Sequence, residues 1–147
     1  MPEYRRILVA LDLSPASQTV ALRAKSLAEE LGAEMTLLHV FEYIPPLDLA
    51  DSPLGSTGWA IDEQELVELH KRHLAELAER VGLAGRNREL LVGLAKTEII
   101  GYAQEHQIDL IIMGSHGRHG IGRLLGSTTH AVLNNATCDV LAVRIAE

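Results

Sequence analysis

The sequence predicts an α/β fold around a parallel sheet, and three observations carry that prediction. Short continuous apolar runs with β-branched members alternate with longer segments whose apolar residues recur at helical spacing. Strands alternating with helices in this way imply right-handed crossovers and parallel pairing. Hydrophobic residues make up 47% of the chain and aromatics only 3%. The core must then be built of Leu, Ile, Val and Ala, which suits strands buried on both faces. A length of 147 residues fits one domain spanning 1–147, with no internal repeat and no linker that splits it.

Each element follows from its own signals. Residues 7–11 (ILVAL) form a buried strand that stops at Asp12. Ser14-Pro15 reads as an N-cap followed by proline at the first helical position. Val20, Ala24, Leu27, Ala28 and Leu31 then recur at helical spacing, and Gly32 ends the helix. Residues 35–40 (MTLLHV) are the second strand. Pro45, Pro46, Pro53, Gly55 and Gly58 interrupt residues 41–60, a loop long enough to be functional or mobile. Residues 61–81 read as a long helix with Leu66, Leu69, His73, Leu77 and Val81 on its apolar face, ended by Gly82 and Gly85. A third strand at 88–92, a helix at 97–106 and a fourth strand at 108–113 (IDLIIM) follow. After a glycine-rich loop come a short helix at 127–135 and a last strand at 140–145 (VLAVRI).

Charge narrows the partners. Thirteen basic against twenty acidic residues give a net charge of −7, which speaks against nucleic acid as the main partner. The acids are unevenly spread: none lies between Asp109 and Asp139, where Arg118, Arg123, His116, His119 and His130 all fall. That stretch fits a small anionic ligand. The alternative is a loop and helix that simply lack acids. Cys138 is the sole cysteine, so no disulfide forms within the chain. It begins an apolar strand and reads as a buried, inert thiol. The opening segment is too short and wrongly flanked for a signal peptide, and no run reaches membrane-spanning length. A cytoplasmic protein that engages no membrane is expected.

The chemistry concentrates where the fourth strand ends at Gly114 and a basic glycine-rich loop leads to Gly126-Ser127-Thr128. Backbone N–H groups in a loop, followed by a helix N-terminus, make a seat for phosphate. In an open α/β sheet, ligands bind beyond the carboxyl ends of strands where the strand order reverses. Were the first and fourth strands neighbours, Asp12 would face this loop across a crevice. A carboxylate there accepts hydrogen bonds from a ribose, so the pair indicates a nucleotide rather than bare phosphate. Asp12 also suits a cap or turn before Ser14-Pro15, and the two roles are compatible. Familiar phosphate motifs fail at the actual spacing. Gly117 and Gly122 match a Walker A frame, but Arg123 stands in place of its Lys and Leu124 in place of its Ser or Thr. No GxGxxG occurs, and no Ser-Gly-Gly run follows the first strand.

These residues resemble the universal stress protein family across essentially the whole chain. The resemblance is carried by the opening RRILVALDLSP, by TLLHV, by DLIIMGSHGR and by the closing LLGSTTHAVLNNATCDVLAVR. The family's nucleotide-binding branch carries G-x₂-G-x₉-G-[ST]. This chain has Gly114-x₂-Gly117-x₈-Gly126-Ser127, one residue shorter. Another branch lacks the glycines and does not bind ATP; retention of all three places the chain nearer the binding branch. The resemblance implies roles for particular residues. Asp12 would hold the ribose or the edge of adenine. Leu11 and Val40 would line the adenine pocket, Val40 offering backbone groups, and Met113 would close it. Gly114 and Gly117 would approach ribose and phosphate, and Gly126, Ser127 and Thr128 would bind the outer phosphates. Charge alone adds Arg118 and His116 as phosphate neighbours, or equally as solvated loop residues.

The expected fold is therefore a single flavodoxin- or Rossmann-like domain with five parallel strands in the order 3-2-1-4-5 and helices on both faces. The expected cofactor is ATP or another adenine nucleotide, with Mg²⁺ or Mn²⁺ carried by its phosphates. The resemblance also implies a homodimer around the last strand, whose apolar edge would otherwise be exposed. His70 with His73, and His116 with His119, have metal-pair spacing, but no third ligand is evident for either. No base stands ready to activate water, so the leading function is ATP-dependent regulation in stress response, with at most slow hydrolysis. The rivals are a nucleotide-free dimeric scaffold that acts through an unknown protein partner, and a nucleotide-hydrolysing enzyme. The 41–60 loop would be placed to cover the adenine end.

Overall fold

Nine elements alternate among the residues that the computed structural model describes, which are 4–42, 62–115 and 126–145. They are β1 (Arg6–Ala10), α1 (Ser17–Leu31), β2 (Glu34–Phe41), α2 (Glu63–Arg80), β3 (Asn87–Val92), α3 (Ala95–Glu105), β4 (Leu110–Gly114), α4 (Ser127–Asn135) and β5 (Asp139–Val143). All ladders are parallel and the sheet order is β3-β2-β1-β4-β5. The chain winds outward from β1 to β3, then returns to the other side of β1 with β4. Ile7 is the hinge of the register, opposite Met35 on one side and Leu110 on the other. The reversal of strand order thus falls between β1 and β4, and a crevice opens beyond their carboxyl ends.

The alternation of strand side chains builds two cores. On one face Ile7, Val9, Leu11, Met35 and Leu37 pack with Ala24 and Ala28 of α1 and with Leu74 and Leu77 of α2. On the other, Leu8, Ala10, Leu38, Val40, Ile111 and Met113 pack with Ile99 and Ala103 of α3 and Val132 of α4. Alanines along α1 let its backbone lie close to the sheet. Both helices on this face end at a left-handed glycine. Gly32 (φ 64°) lets the Ala33 N–H turn back to Ala28 O at 3.0 Å, and Gly82 (φ 75°) does the same for Leu83 on Ala78. Truncating a fully buried strand residue such as Ile112 costs about 2–5 kcal/mol.

Several boundaries and faces differ from expectation. Ser14-Pro15 does not cap α1: the helix begins at Ser17, and Ser14 instead closes a turn whose carbonyl takes the Ser17 N–H at 2.9 Å. The apolar face of α2 is rotated by about one residue. Leu69 and His73 are exposed, and the face runs through His70, Leu74, Leu77 and Ala78. Leu69 and His73 have helical spacing, but so does the run through His70, and the sheet selects the latter. β5 starts at Asp139 and ends at Val143, because its pairing with β4 runs from Leu110 to Gly114 and no further. α3 begins two residues before the expected Thr97. The expected loop at 41–60 lies almost entirely outside the described residues; Phe41 itself completes β2.

Candidate functional site

The carboxyl ends of β1, β2 and β4 surround a cleft of about 490 Å³. Leu11, Asp12, Leu38, His39, Val40, Phe41, Met113 and Gly114 line it from the strands. Gly126, Ser127, Thr128 and Thr129 line it from the start of α4, and Ser17, His70, Ala95 and Ile99 from the other helices. Its lining combines apolar side chains such as Leu11, Val40 and Met113 with a few polar groups, the usual build of a small-molecule site.

Asp12 organises the turn at the end of β1. Its Oδ1 accepts from the Ser14 N–H at 2.9 Å and from the Ser17 hydroxyl at 3.0 Å. Those bonds hold Leu13 at φ 61°, the left-handed region, which a branched apolar residue rarely adopts. Strain of about 1 kcal/mol is thereby kept beside the cleft. Asp12 is thus a turn-forming residue and a cleft-lining carboxylate at once.

The end of β4 is fixed from three sides. Ser115 N–H donates to Val143 O at 2.7 Å, and Ser115 Oγ accepts from the Ile145 N–H at 3.0 Å. Thr129 Oγ1 donates to Gly114 O at 2.8 Å, which ties α4 to the strand. Gly126 N–H donates to Ser115 O at 2.9 Å, so the two ends of the glycine-rich segment meet. The positions of Gly114 and Gly126 are therefore set by β4 and α4, not by the number of residues between them.

The end of β2 offers a backbone edge. Leu38 O accepts the Leu11 N–H at 2.8 Å, so the peptide groups of Leu38 face β1. Phe41 O accepts the Gly93 N–H at 3.0 Å, so those of Phe41 face β3. By the alternation of a strand, the N–H and C=O of Val40 face the β1 side. β1 ends at Ala10, opposite Leu38, so this donor–acceptor pair points into the crevice.

Three helices begin at the cleft, and they differ in how their first turns are served. At α1 the Asp12 carboxylate takes the Ser14 N–H and the Ser17 hydroxyl. At α3 the Glu42 carboxylate accepts the Ala95 N–H at 2.8 Å. At α4 the N-cap is Gly126, which has no side chain to offer. Among the described residues a carboxylate thus stands beside the starts of α1 and α3, and the cap of α4 carries none.

The Universal stress protein family model matches residues 3–144. The chain is 41% identical over 146 residues to Universal stress protein A homolog 2 of Coxiella burnetii, covering 99% of this chain and 98% of that one. The chain belongs to the universal stress protein family. Among solved structures, universal stress protein UspA from Lactobacillus plantarum matches with a TM-score of 0.71 and 29% identity, over 98% of this chain and 100% of that one. A universal stress protein in complex with cAMP matches with a TM-score of 0.65 and 25% identity, over 97% of this chain and 98% of that one.

In this universal stress protein, Leu11, Asp12, Val40, Met113, Gly114, Gly126, Ser127 and Thr128 come together around the one cleft. His116, Gly117 and Arg118 lie outside the described residues, as does His119. His70 and His73 have ring centroids 6.3 Å apart, but His70 is hydrogen-bonded to His39. Among the described residues no group of three or more His, Cys, Asp or Glu is placed to hold a metal ion. No helix of the described residues is long and apolar enough to cross a membrane. Burial, with the carboxylates of Asp139 and Asp109 nearby, pushes the Cys138 thiol above its ordinary range. Reading the sequence missed His39, His70 and Glu42 in the cleft wall. His39 sits in an apolar strand run and His70 in an amphipathic helix. The partnership between them, 31 residues apart, leaves no local pattern.

Proposed function

We infer that this universal stress protein binds an adenine nucleotide, ATP in the first instance, and acts by ligand-dependent regulation in stress response. One observation carries the reading: among the described residues, Asp12 and Glu42 accept hydrogen bonds beside the starts of α1 and α3, whereas the start of α4 has glycine at its cap and no side-chain cap hydrogen bond. A phosphate group is the complement of that arrangement. It also sets an orientation. Phosphates lie toward Gly126, Ser127 and Thr128, with Gly117, Arg118 and His116 contributing from the glycine-rich loop. The base lies toward Val40, whose backbone pair matches the donor and acceptor on the edge of adenine, with Leu11 and Met113 against its faces. Asp12, between the two, accepts from the ribose.

Mg²⁺ or Mn²⁺ would be held by phosphate oxygens and by the hydroxyls of Ser127 and Thr128, since the chain has no acid between Asp109 and Asp139. Of the described carboxylates at the cleft, Asp12 and Glu42 are both engaged at helix starts. Neither is placed to activate water at the phosphate end, which favours regulation over rapid turnover. We also assign β5 to a homodimer contact. It is an edge strand, Leu141 on it is 38% exposed, and Leu133 of α4 beside it is 41% exposed.

Calorimetric titration with ATP and Mg²⁺, adenosine and inorganic triphosphate tests the reading. ATP is expected to bind more tightly than either fragment, and Asp12→Ala to weaken it about tenfold. Wild-type protein that takes up no adenine nucleotide would leave the scaffold reading in front. Turnover of many cycles per minute would favour the enzyme.

A further inference from the structure

Glu42 follows β2 directly, and although it is exposed its carboxylate is anchored. It accepts the Ala95 N–H at 2.8 Å, from 53 positions away in the chain. The turn that allows this contact is built by Gly93. Its N–H donates to Phe41 O at 3.0 Å, and its φ of 152° carries the chain from the end of β3 into α3. A Cβ at Gly93 would lie 2.9 Å from Glu98 Oε2, so the turn admits a side chain only if Glu98 moves. The first N–H of α3 is thereby presented to the end of β2.

One role of this carboxylate is structural: it serves the start of α3, whose own N-cap, Leu94, makes no side-chain bond. Its place gives it a second. Glu42 lines the same cleft as Val40 and Met113. Leu38 and Val40 pack on the α3 face of the sheet, and alternation puts the side chain of Glu42, two residues on, toward that face as well. Glu42 thus stands outward of Val40, at the mouth of the cleft. Chain direction then decides which part of a base it meets. In Val40 the N–H precedes the C=O, so the donor is the inner group and the acceptor the outer one. Adenine matches such a pair with a ring nitrogen on the N–H and its exocyclic amine on the C=O. Both edges of adenine that carry the amine obey this order, so the amine lies outermost in either case. It brings two hydrogens, and the Val40 C=O takes one. The second points to an acceptor beyond Val40, where Glu42 stands.

We propose that Glu42 is a specificity-determining residue of the nucleotide cleft, selecting a purine with a hydrogen-bond donor at the outer end of its edge and refusing one with an acceptor there. The proposal rests on the adenine-nucleotide reading. An amine N–H meets a carboxylate in a charge-assisted bond, whereas the carbonyl oxygen of hypoxanthine or guanine sets its lone pairs against a negative charge. The Val40 C=O already disfavours that oxygen, and Glu42 adds to the discrimination in the same direction. The bond to Ala95 holds the carboxylate in place before the ligand arrives, so less freedom is lost on binding.

The test titrates ATP, inosine triphosphate and purine riboside triphosphate, each with Mg²⁺, into wild type and Glu42→Gln. The three ligands carry an amine, a carbonyl oxygen and a hydrogen at the same position of the purine. The Gln side chain keeps an acceptor for the Ala95 N–H but not the charge. Wild type is expected to prefer ATP to both of the others. The variant should lose about fivefold of the preference for ATP over inosine triphosphate, with purine riboside triphosphate unchanged within about twofold. Glu42→Ala should lose the same selectivity and also melt lower, and Glu42→Gln should restore the melting temperature alone. A purely structural role moves all three ligands together, so unchanged ratios in folded Glu42→Gln would overturn the proposal. The Ala95 amide gives a readout that needs no variant. Its shift in wild type should differ between saturating ATP and saturating purine riboside triphosphate, and identical shifts would overturn the proposal as well. Equal affinity of wild type for all three ligands would overturn it and leave the nucleotide cleft standing. Wild type that takes up none of the three would overturn it through failure of the nucleotide reading instead.

Discussion

Asp12 joins a role in the fold to the ligand role proposed for it. Its Oδ1 accepts from the Ser14 N–H in the turn before α1 and from the hydroxyl of Ser17, the first residue of α1, and the carboxylate still lines the cleft. Asp12→Ala is expected to cost about 1–2 kcal/mol of stability in chemical denaturation, as loss of a cap does. Asp12→Asn keeps an acceptor for the turn and should cost only a few tenths, yet lose nucleotide affinity about as much as the alanine. Equal affinity loss with unequal stability loss separates the two roles; intact ATP binding in Asp12→Asn would remove the ribose assignment. Cys138 is a half-buried thiol just before β5. Its thiol is raised by burial and then by Asp139 and Asp109, so the neutral form is favoured in the folded state. That contribution to stability is present below the ordinary thiol pKa and is lost as pH rises through the higher folded value. Alkylation at neutral pH should be slower than for the unfolded chain; equal rates would contradict the burial argument. The Asp12 turn was legible in the sequence, because a carboxylate before Ser-Pro is a local pattern, whereas Cys138, expected buried at the start of the last strand, is half-buried and lies just before β5. The His39–His70 bond was not legible, because it joins β2 to α2 through a contact no periodicity marks.

Among the elements, α4 does most to define the site. Gly126 has φ −63° and ψ 154°, an extended conformation that any residue adopts. Backbone freedom therefore does not explain the glycine, whereas an uncapped helix start does. Gly126→Asp is expected to cap α4 with its own carboxylate. Melting should be unchanged or slightly higher, by a few tenths of a kcal/mol, while ATP affinity falls at least about tenfold through repulsion and occupied N–H groups. An aspartate variant that binds ATP as well as wild type would place the phosphates elsewhere. The limits of α4 were readable because Gly-Ser-Thr marks a helix start. Those of α1 were misread, since Ser14-Pro15 fits a cap by pattern but the Asp12 turn takes up Ser14 first. The face of α2 was misread by one residue because two apolar stripes fit a helical period and only contact with β2 and β3 chooses between them.

At the scale of the molecule, strand order does the positioning. β1 lies between β2 and β4, so the Asp12 turn, the Val40 backbone and the start of α4 converge although they are far apart in the chain. Alternation of apolar strands with helices makes that architecture legible, since parallel strands with right-handed crossovers leave few other arrangements. The same order leaves β5 at an edge with Leu141 outward. If β5 forms the proposed homodimer contact, wild type should sediment as a dimer and Leu141→Glu as a folded monomer; a wild-type monomer at high concentration would rule out the β5 contact. The nucleotide is proposed to span the crevice from Val40 to Ser127. Titration of ¹⁵N-labelled protein with ATP and Mg²⁺, followed by amide shifts, tests it most directly. The largest changes are expected on Leu11, Asp12, Val40, Gly114, Gly126, Ser127 and Thr128. No change at saturating ATP, or changes gathered at Thr36, Asn87 and His106 at the opposite end of the sheet, would contradict it.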